Sequence, residues 1–477
     1  MRSDSLDLTK GNLFKKIVLF ALPVVLTSLL QLVYNTADLL VVSNFGGGVP
    51  SMTAVGDNWS IINIVINTFV MIGVGVNVVV ADAFGKKDNG LASKSIGSSV
   101  LLSFIIGIPL GLLGFFLSPA LEAIMNTPSD ILDMATLYLR VYMLGVPFLV
   151  LYNFLTSALR GLGDSKSPLL ILLFCGLANV GMNFFFVYLF YNVFHIDDGD
   201  ILGVALATVL CEFLEALSTF IVLLRRKKKA EIGGISFKDI RLHKRESIAI
   251  LKHGLPSGLE CFIFGLSNAA IQAQANLLGT VVISADTASG NIEGYIFAAL
   301  EAFITAEVAI VAQNYGAGDK QRVKKSFLYS LLIIVILAVS MGGVAIASAR
   351  PLIGIYIADT AENAATMEIA INHLIMMCAT YALCAFMDAG SGYLRGTKHA
   401  FAPTIAIFMT ACVFRLSYVY FFYRPFIAPT DLSLTAKDLI LFGGYPACWT
   451  LSCLIYLVMV PIFMKKDGVI AKADHAN

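Results

Sequence analysis

The sequence is poor in charge. Asp, Glu, Lys and Arg make up 14% of its 477 residues, whereas a soluble domain carries about 25%. Hydrophobic residues account for 58% of the chain, and the mean hydropathy is +0.81. This balance excludes an ordinary soluble globular protein and indicates a polytopic membrane protein.

Several chemical signatures are also missing. All eight cysteines lie inside apolar segments, so disulfides and cysteine metal sites are not expected. The six histidines are scattered without metal-ligand spacing. No glycine-rich loop ends in the Gly-Lys-Ser/Thr that holds nucleotide and magnesium, which excludes a primary pump, and no nucleophile–base set is spaced for catalysis. We therefore expect neither an enzyme nor a resident cofactor.

Apolar segments long enough to cross a membrane recur twelve times, since about 20 residues suffice for a spanning helix. The predicted spans are 14–43, 53–82, 96–117, 131–159, 168–191, 201–224, 248–277, 286–312, 326–348, 366–394, 402–423 and 440–464. The predicted fold is therefore an all-α membrane protein with twelve transmembrane helices.

Lysine and arginine fall mostly on one side of this predicted membrane. With the N terminus inside, the cytoplasmic segments hold 28 of the 33 Lys and Arg residues, ten of them between Arg225 and Lys252. Positive charge is enriched in cytoplasmic loops. We therefore expect a multi-pass protein of the cell membrane with both termini in the cytoplasm.

The two halves of the chain repeat. Asn35 matches Asn268 and Gly46 matches Gly279, both at an offset of 233. Each half has six spans, so both halves enter the membrane from the same side. They form two six-helix lobes, parallel repeats about the membrane normal, with a substrate site expected at their interface. The predicted units are an N-lobe (1–224), a basic cytoplasmic linker (225–247) and a C-lobe (248–477).

Asp38 is the least expected residue of the first span, because a carboxylate at the membrane centre costs about 2.5–3.5 kcal/mol on insertion scales. Asn35 shares its helical face. The predicted orientation puts Asn183 and Thr208 at a depth similar to that of Asp38. Asn179 lies one turn from Asn183 on the same face. A carboxylate with amides and a hydroxyl can bind a proton, or Na⁺ through oxygen ligands. The alternative is that the polar groups only join helices.

The C-lobe spans contain ionisable residues of their own: Glu260, Glu301, Asp388 and Arg415. The simplest expectation is that Arg415 neutralises Glu301 or Glu260. A bound cation could replace the arginine, so these residues are also candidates for ion coupling and substrate binding. Glu212 and Glu215, nearer the inner end of the sixth span, are interpreted as structural residues that snorkel.

Seven short motifs are spread over nearly the whole chain. They are Tyr34-Asn-Thr-Ala-Asp38, Ala83-Phe-Gly-Lys86, Ala158-Leu-Arg-Gly-Leu-Gly-Asp-Ser-Lys-Ser-Pro168, Gly203-Val-Ala-Leu-Ala-Thr208, Gly254-Leu-Pro-Ser-Gly258, Ala312-Gln-Asn-Tyr-Gly-Ala317 and Tyr393-Leu-Arg-Gly396. In this order and spacing the set resembles the multidrug and toxic compound extrusion (MATE) transporters. The resemblance implies two six-helix lobes around a V-shaped cavity, with alternating access. It also implies efflux of varied, often cationic, compounds in exchange for Na⁺ or protons.

The resemblance also implies roles for individual residues. Asp38 matches the acid of the first helix in the family's N-lobe ion site, and Asn179 and Thr208 match partner positions. Asn183 stands where many members place a second Asp, so one carboxylate of the site is absent here. In the C-lobe, Glu260 lies nearer the cytoplasm than the family's acid and Asp388 matches loosely. The coupling ion, H⁺ or Na⁺, therefore stays open.

Two other functions compete with drug export by a monomeric antiporter. Export of a lipid-linked or cell-envelope precursor is the first, as in related flippases, whose cavities usually carry several arginines. Only Arg140 and Arg415 lie in spans here, which argues against it. A membrane receptor or scaffold is the second, and it would not need a buried acid in each half.

Overall fold

A computed structural model describes residues 6–58, 62, 66–125, 127–229 and 232–470. The described chain is almost entirely helical. Its N-terminal half contains α1 (Leu13–Phe45), α2 (Val49–Asp57), α3 (Asn67–Gly85), α4 (Asn89–Met125), α5 (Leu132–Gly161), α6 (Lys166–Val193) and α7 (Gly199–Lys228). Its C-terminal half contains α8 (Lys244–Asn276), α9 (Thr280–Gly316), α10 (Lys320–Ala347), α11 (Ala349–Ile353), α12 (Ala364–Gly396), α13 (Phe401–Ile427) and α14 (Leu434–Lys466).

The helices confirm the predicted all-α membrane fold. Within the described ranges, eleven helices are long and apolar enough to cross a membrane. The predicted seventh span forms α8, which is 33 residues long but more polar than the other eleven. The described part of the predicted second span, 53–82, includes the end of α2 and most of α3. Residues 59–61 and 63–65 of that span lie outside the described residues.

Local sequence explains where several helices begin. The side chain of Asn12 accepts a hydrogen bond from the backbone N–H of Lys15 at 3.0 Å, and Asp319 does the same for Arg322 at 2.9 Å. Such N-caps satisfy backbone donors that a helix start leaves unpaired. The caps therefore define where α1 and α10 begin.

The first helix of each lobe packs with its N-terminal part against the other lobe. Leu13, Ile17 and Phe20 of α1 belong to the apolar core of the C-lobe, whereas Val42 near the other end of α1 belongs to the core of the N-lobe. Ile250 near the start of α8 packs in the N-lobe core in return. Each lobe therefore holds one end of the other's first helix, which ties the lobes together at one end.

Glycines let the lobes approach closely at that end. A Cβ added to Gly75 of α3 would lie well under 3.0 Å from the carbonyl oxygen of Ile250 in α8, and one added to Gly254 would meet Ile72 equally closely. Two backbones in such contact leave no room for a side chain. We call this end of the molecule the closed end. It comprises residues 6–11, 86–88, 161–166, 314–320 and 395–400.

Hydrogen bonds add to the closed end. Gln313 of α9 donates to the carbonyl oxygen of Gly161 at 2.8 Å and accepts from the backbone N–H of Leu8 at 3.3 Å. Lys398 makes an ion pair of 2.8 Å with Asp82 across the lobes. Burial lowers the pKa of Lys398, and the hydrogen bond that Lys398 donates to Asp82 opposes this shift. The seam between the lobes is therefore polar as well as tightly packed.

Candidate functional site

The structure brings Asp38 together with two amides of α6. The Asn183 side chain donates to the Asp38 carboxylate at 2.5 Å and to the Asn179 side-chain oxygen at 3.3 Å. Asn179 and Asn183 are buried, and Asp38 is half-buried. The spacing of four residues puts both amides on one face of α6. The side-chain oxygen of Asn183 is buried and has no hydrogen-bond partner.

Asn35 and Thr208 do not join this cluster directly. Asn35 is exposed and makes no hydrogen bond to the described residues. The Thr208 hydroxyl donates to the carbonyl oxygen of Val204 in its own helix at 3.0 Å. Thr208 is half-buried, so its oxygen is oriented by α7 rather than by Asp38. The geometry therefore defines a core site of one carboxylate and two amides.

Glu212 and Glu215 of α7 correct the sequence interpretation. Their exposed fractions are 6% and 7%, so neither side chain snorkels to the surface. Glu212 interacts with the hydroxyl of Tyr142, and the Cys211 thiol lies 3.7 Å from a carboxylate oxygen of Glu215. A Cβ at Gly145 would collide with the Glu212 carboxylate, so this glycine makes room for it. Glu212 and Glu215 thus place two further acids in the N-lobe interior.

Glu260 pairs with an arginine that was not expected as its partner. The Arg395 guanidinium lies 2.6 Å from the Glu260 carboxylate, and both side chains are buried. Asp388 and Glu301 lie close enough to interact electrostatically with Arg395. Asp388 is half-buried and accepts a contact from the Cys384 thiol at 3.6 Å. Three predicted acids thus surround one buried arginine.

Arg415 is fully buried and does not neutralise Glu260 or Glu301, so that expectation is wrong. It donates to the side-chain oxygen of Asn268 at 2.9 Å, and its guanidinium lies 4.2 Å from the centre of the Tyr445 ring. A cation over an aromatic face is stabilised without a counter-charge. Tyr445 also donates to Asn268 at 3.0 Å, so the three residues form one unit.

Several polar residues of the spanning helices are exposed. Asn35, Asn268, Gln272 and Glu301 all belong to this group. Polar groups inside a membrane face a water-filled cavity or the protein interior rather than lipid. Their exposure therefore indicates a hydrated cleft between the lobes, on the far side of the closed end. Asp38 lies one helical turn from the exposed Asn35, and Arg415 is bonded to the exposed Asn268, so both are close to this cleft.

Sequence reasoning missed a further buried cluster. Asp286 of α9, His373 of α12 and Asp438 of α14 meet in the C-lobe interior, with ligand atoms within 4.8 Å of one another. The three residues are 65 to 152 positions apart in the chain. No motif spacing could reveal them, because only the packing of three helices brings them together.

Comparisons with known proteins agree with this architecture. The MatE family model matches residues 23–185 and 256–421, one segment in each lobe. The probable multidrug resistance protein YpnP of Bacillus subtilis is 31% identical over 319 residues, which cover 66% of this chain and 68% of YpnP. The probable multidrug resistance protein NorM of Thermotoga maritima is 23% identical over 409 residues, which cover 84% of each chain.

Solved structures show the same fold. An outward-facing multidrug resistance MATE family transporter superposes with a TM-score of 0.82 at 21% identity, covering 98% of this chain and 100% of that one. At that identity the likeness concerns the fold alone. The family model, by contrast, covers most of both repeats, including the helix that carries Asp38. The chain therefore belongs to the MatE (multidrug and toxic compound extrusion) family of membrane transporters.

Proposed function

We propose that this protein exports small organic compounds, cationic or amphipathic, from the cell in exchange for H⁺ or Na⁺. The observation that carries the proposal is Asp38, a carboxylate in a spanning helix whose hydrogen-bond partner is a neutral amide. An acid in this position is costly unless a cation or proton neutralises it. No ion pair joins Asp38 to a Lys, Arg or His among the described residues, so a mobile cation fits that role.

The residues around Asp38 are suited to either ion. A proton would neutralise the carboxylate directly. Na⁺ would be held by the carboxylate and the side-chain oxygen of Asn179. The side-chain oxygen of Asn183 would join them after its amide rotates, because its amide nitrogen faces Asp38 and Asn179 here. Oxygen is the ligand atom that such hard cations prefer. Neither ion needs Asn35, which is left free to contact substrate in the cleft.

The proposed mechanism follows from the closed end. The bias of Lys and Arg assigns this end to the cytoplasm, with both termini there, so the described conformation is open to the outside. Ion binding at Asp38 would favour substrate release into the cleft, and the lobes would then rock to open the other end. Exchange requires that ion and substrate compete or favour opposite conformations.

The substrate class rests on chemistry and on the relatives. A cleft that carries acids suits organic cations, since carboxylates attract the positive charge. YpnP and NorM are named as multidrug resistance proteins, which supports drug-like substrates here. Arg415 is occupied by Asn268 and Tyr445, so the arginine-rich cavity expected of a lipid-precursor flippase is not supported.

Transport into inside-out vesicles tests the proposal. A cationic dye should accumulate under an imposed proton gradient or sodium gradient, and the gradient that works identifies the coupling ion. A panel that includes an anionic dye and a lipid-linked sugar tests the substrate class. Accumulation of the anionic or lipid-linked compounds alone, or uptake independent of both gradients, would contradict the proposed function.

A further inference from the structure

We propose that Asp286, His373 and Asp438 form a binding site for a divalent first-row transition metal in the C-lobe. The ring nitrogen Nδ1 of His373 lies 3.2 Å from an oxygen of Asp286 and 3.2 Å from an oxygen of Asp438. Two ligands bound to one Zn²⁺, each at about 2.1 Å in tetrahedral geometry, are about 3.4 Å apart. Both nitrogen–oxygen separations are close to this value, and all three ligand atoms lie within 4.8 Å of one another, so small side-chain rotations would bring them onto one cation.

The oxygens of the site lack other partners. Oδ2 of Asp286 and Oδ1 of Asp438 are buried without a hydrogen bond, and Oδ1 of Asp286 faces only His373 among the described residues. The exposed fractions of Asp286, His373 and Asp438 are 7%, 3% and 0%. Nδ1 carries at most one proton, so it can donate to only one of the two acids it faces. The other carboxylate must be neutralised by a proton or a metal cation, because a buried charge without a partner is strongly unfavourable.

Glu293 has the geometry of a residue that positions the histidine. Its carboxylate lies 3.6 Å from Nε2 of His373, on the side of the ring away from Asp286 and Asp438. Tyr381 donates to the other oxygen of Glu293 at 3.4 Å. With the metal on Nδ1, Nε2–H would point to Glu293. Histidines that bind metals usually donate their second N–H to a carboxylate in this way, which fixes the tautomer and the ring.

Charge balance also favours a divalent ion. Three carboxylates face one imidazole, and the neighbouring Lys437 points elsewhere, donating to the carbonyl oxygen of Ala428 at 3.1 Å. A 2+ ion would neutralise Asp286 and Asp438 and leave His373 as a neutral ligand. One imidazole with carboxylates suits Zn²⁺, Mn²⁺ or Co²⁺, whereas Mg²⁺ and Ca²⁺ prefer oxygen alone.

A metal at this site would link α9, α12 and α14 at the end of the molecule opposite the closed end. Asp286 lies six residues after the start of α9, and Asp438 four residues after the start of α14. Phe442 covers the ring of His373, with ring centres 4.2 Å apart, and stacks on Tyr445. Tyr445 in turn contacts Arg415. A metal here would therefore stiffen the wall that holds the buried arginine.

Metal binding to the purified full-length protein, freed of any affinity tag and stripped with chelator, tests the proposal. We expect about one Zn²⁺ or Mn²⁺ per chain after equilibrium dialysis. His373→Gln and Asp438→Asn should each lower the affinity at least 100-fold. His399→Gln is the matched control, because His399 also faces an acid, Asp467 at 3.0 Å, near the closed end. It should bind metal as the wild type does.

Two further measurements keep the test decisive if a variant fails to fold. The electron spin echo spectrum of Mn²⁺ bound to the wild type should show coupling to an imidazole nitrogen. Glu293→Gln should retain one site but bind about 10–100-fold more weakly. A wild type without bound metal, a spectrum without nitrogen coupling, or unchanged affinity in folded His373→Gln would overturn the proposal. Unchanged affinity in Glu293→Gln would overturn the positioning role.

Discussion

At the scale of single residues, the charged groups of the membrane interior divide into two kinds. Glu260 and Arg395 are partners of each other, with their charges balanced inside the C-lobe. Asp38 has only amides beside it and so has an unbalanced charge. A balanced pair holds a fold together, whereas an unbalanced acid is available to bind an ion. This difference makes Asp38 the better candidate for coupling.

The Glu260–Arg395 pair should be structural. Arg395→Met leaves Glu260 buried without a counter-charge and should lower the free energy of unfolding by about 3–5 kcal/mol. The double variant Glu260→Gln/Arg395→Met removes both charges and should recover most of that loss. Denaturant unfolding in detergent measures both values. If Arg395→Met is as stable as the wild type, the pair does not hold the C-lobe together.

The sequence predicted the membrane depth of single residues better than it predicted which residues they contact. Asp38 and Asn183 could be placed at one depth, because span order and the Lys and Arg bias fix how far each lies from the surface. The partners of Glu260 and Arg415 could not be found, since they lie 135 and 147 residues away and depend on the rotation of helices about their axes. Apolar periodicity does not define that rotation for helices that are hydrophobic nearly all round.

At the scale of helices, the spans followed from the apolar runs, and the departures have local causes. The seventh span, α8, is long enough to cross a membrane but more polar than the other long helices. Gly163 after α5 and Lys398 after α12 occupy matching positions of the repeat, and both have left-handed backbone, with φ of 78° and 69°. The C-lobe thus forms the same left-handed turn with a lysine in place of the glycine. The ammonium group of this lysine reaches Asp82.

The crossing of α3 and α8 should control the closed end. Gly75→Ala introduces a methyl group against the backbone of Ile250 and should destabilise the closed contact by about 1–3 kcal/mol. Spin labels at Lys87 and Lys320, both exposed at the closed end, should then report a longer-distance population. Gly343→Ala is the control, since a Cβ there meets nothing within 4 Å. Identical distance distributions in Gly75→Ala and wild type would refute this role.

At the scale of the whole molecule, two lobes meet at one end and the N-terminal segment lies across their seam. Leu6 donates to the carbonyl oxygen of Gly163 in the N-lobe at 2.9 Å. Leu8 bonds to Gln313 of the C-lobe, and Arg322 donates to the Leu8 carbonyl oxygen at 2.8 Å. The segment must therefore detach from at least one lobe when the closed end opens. We expect it to be ordered while this end is closed and less ordered when it is open.

Gln313→Ala should loosen that seam. It removes the bonds to Leu8 and Gly161, each of which contributes about 0.5–1.5 kcal/mol, so the closed end should open more often. Hydrogen exchange of the peptide containing residues 6–11 should become faster. Gln272→Ala, in which the lost side chain bonds to Asn276 of its own helix, should leave this peptide unchanged. Equal protection in both variants and the wild type would exclude Gln313 from the seam.

The central claim is that one ion and the exported compound compete through Asp38. Binding of a cationic dye to purified protein, measured across pH and Na⁺ concentration, tests it most directly. The wild type should bind the dye more weakly as the coupling ion, H⁺ or Na⁺, becomes more concentrated. Asp133→Asn, which changes an exposed acid of the same lobe, should show the same ion dependence of dye binding as the wild type. Asp38→Asn should bind with an affinity that neither ion alters, whereas an unchanged ion dependence in that variant would contradict the account.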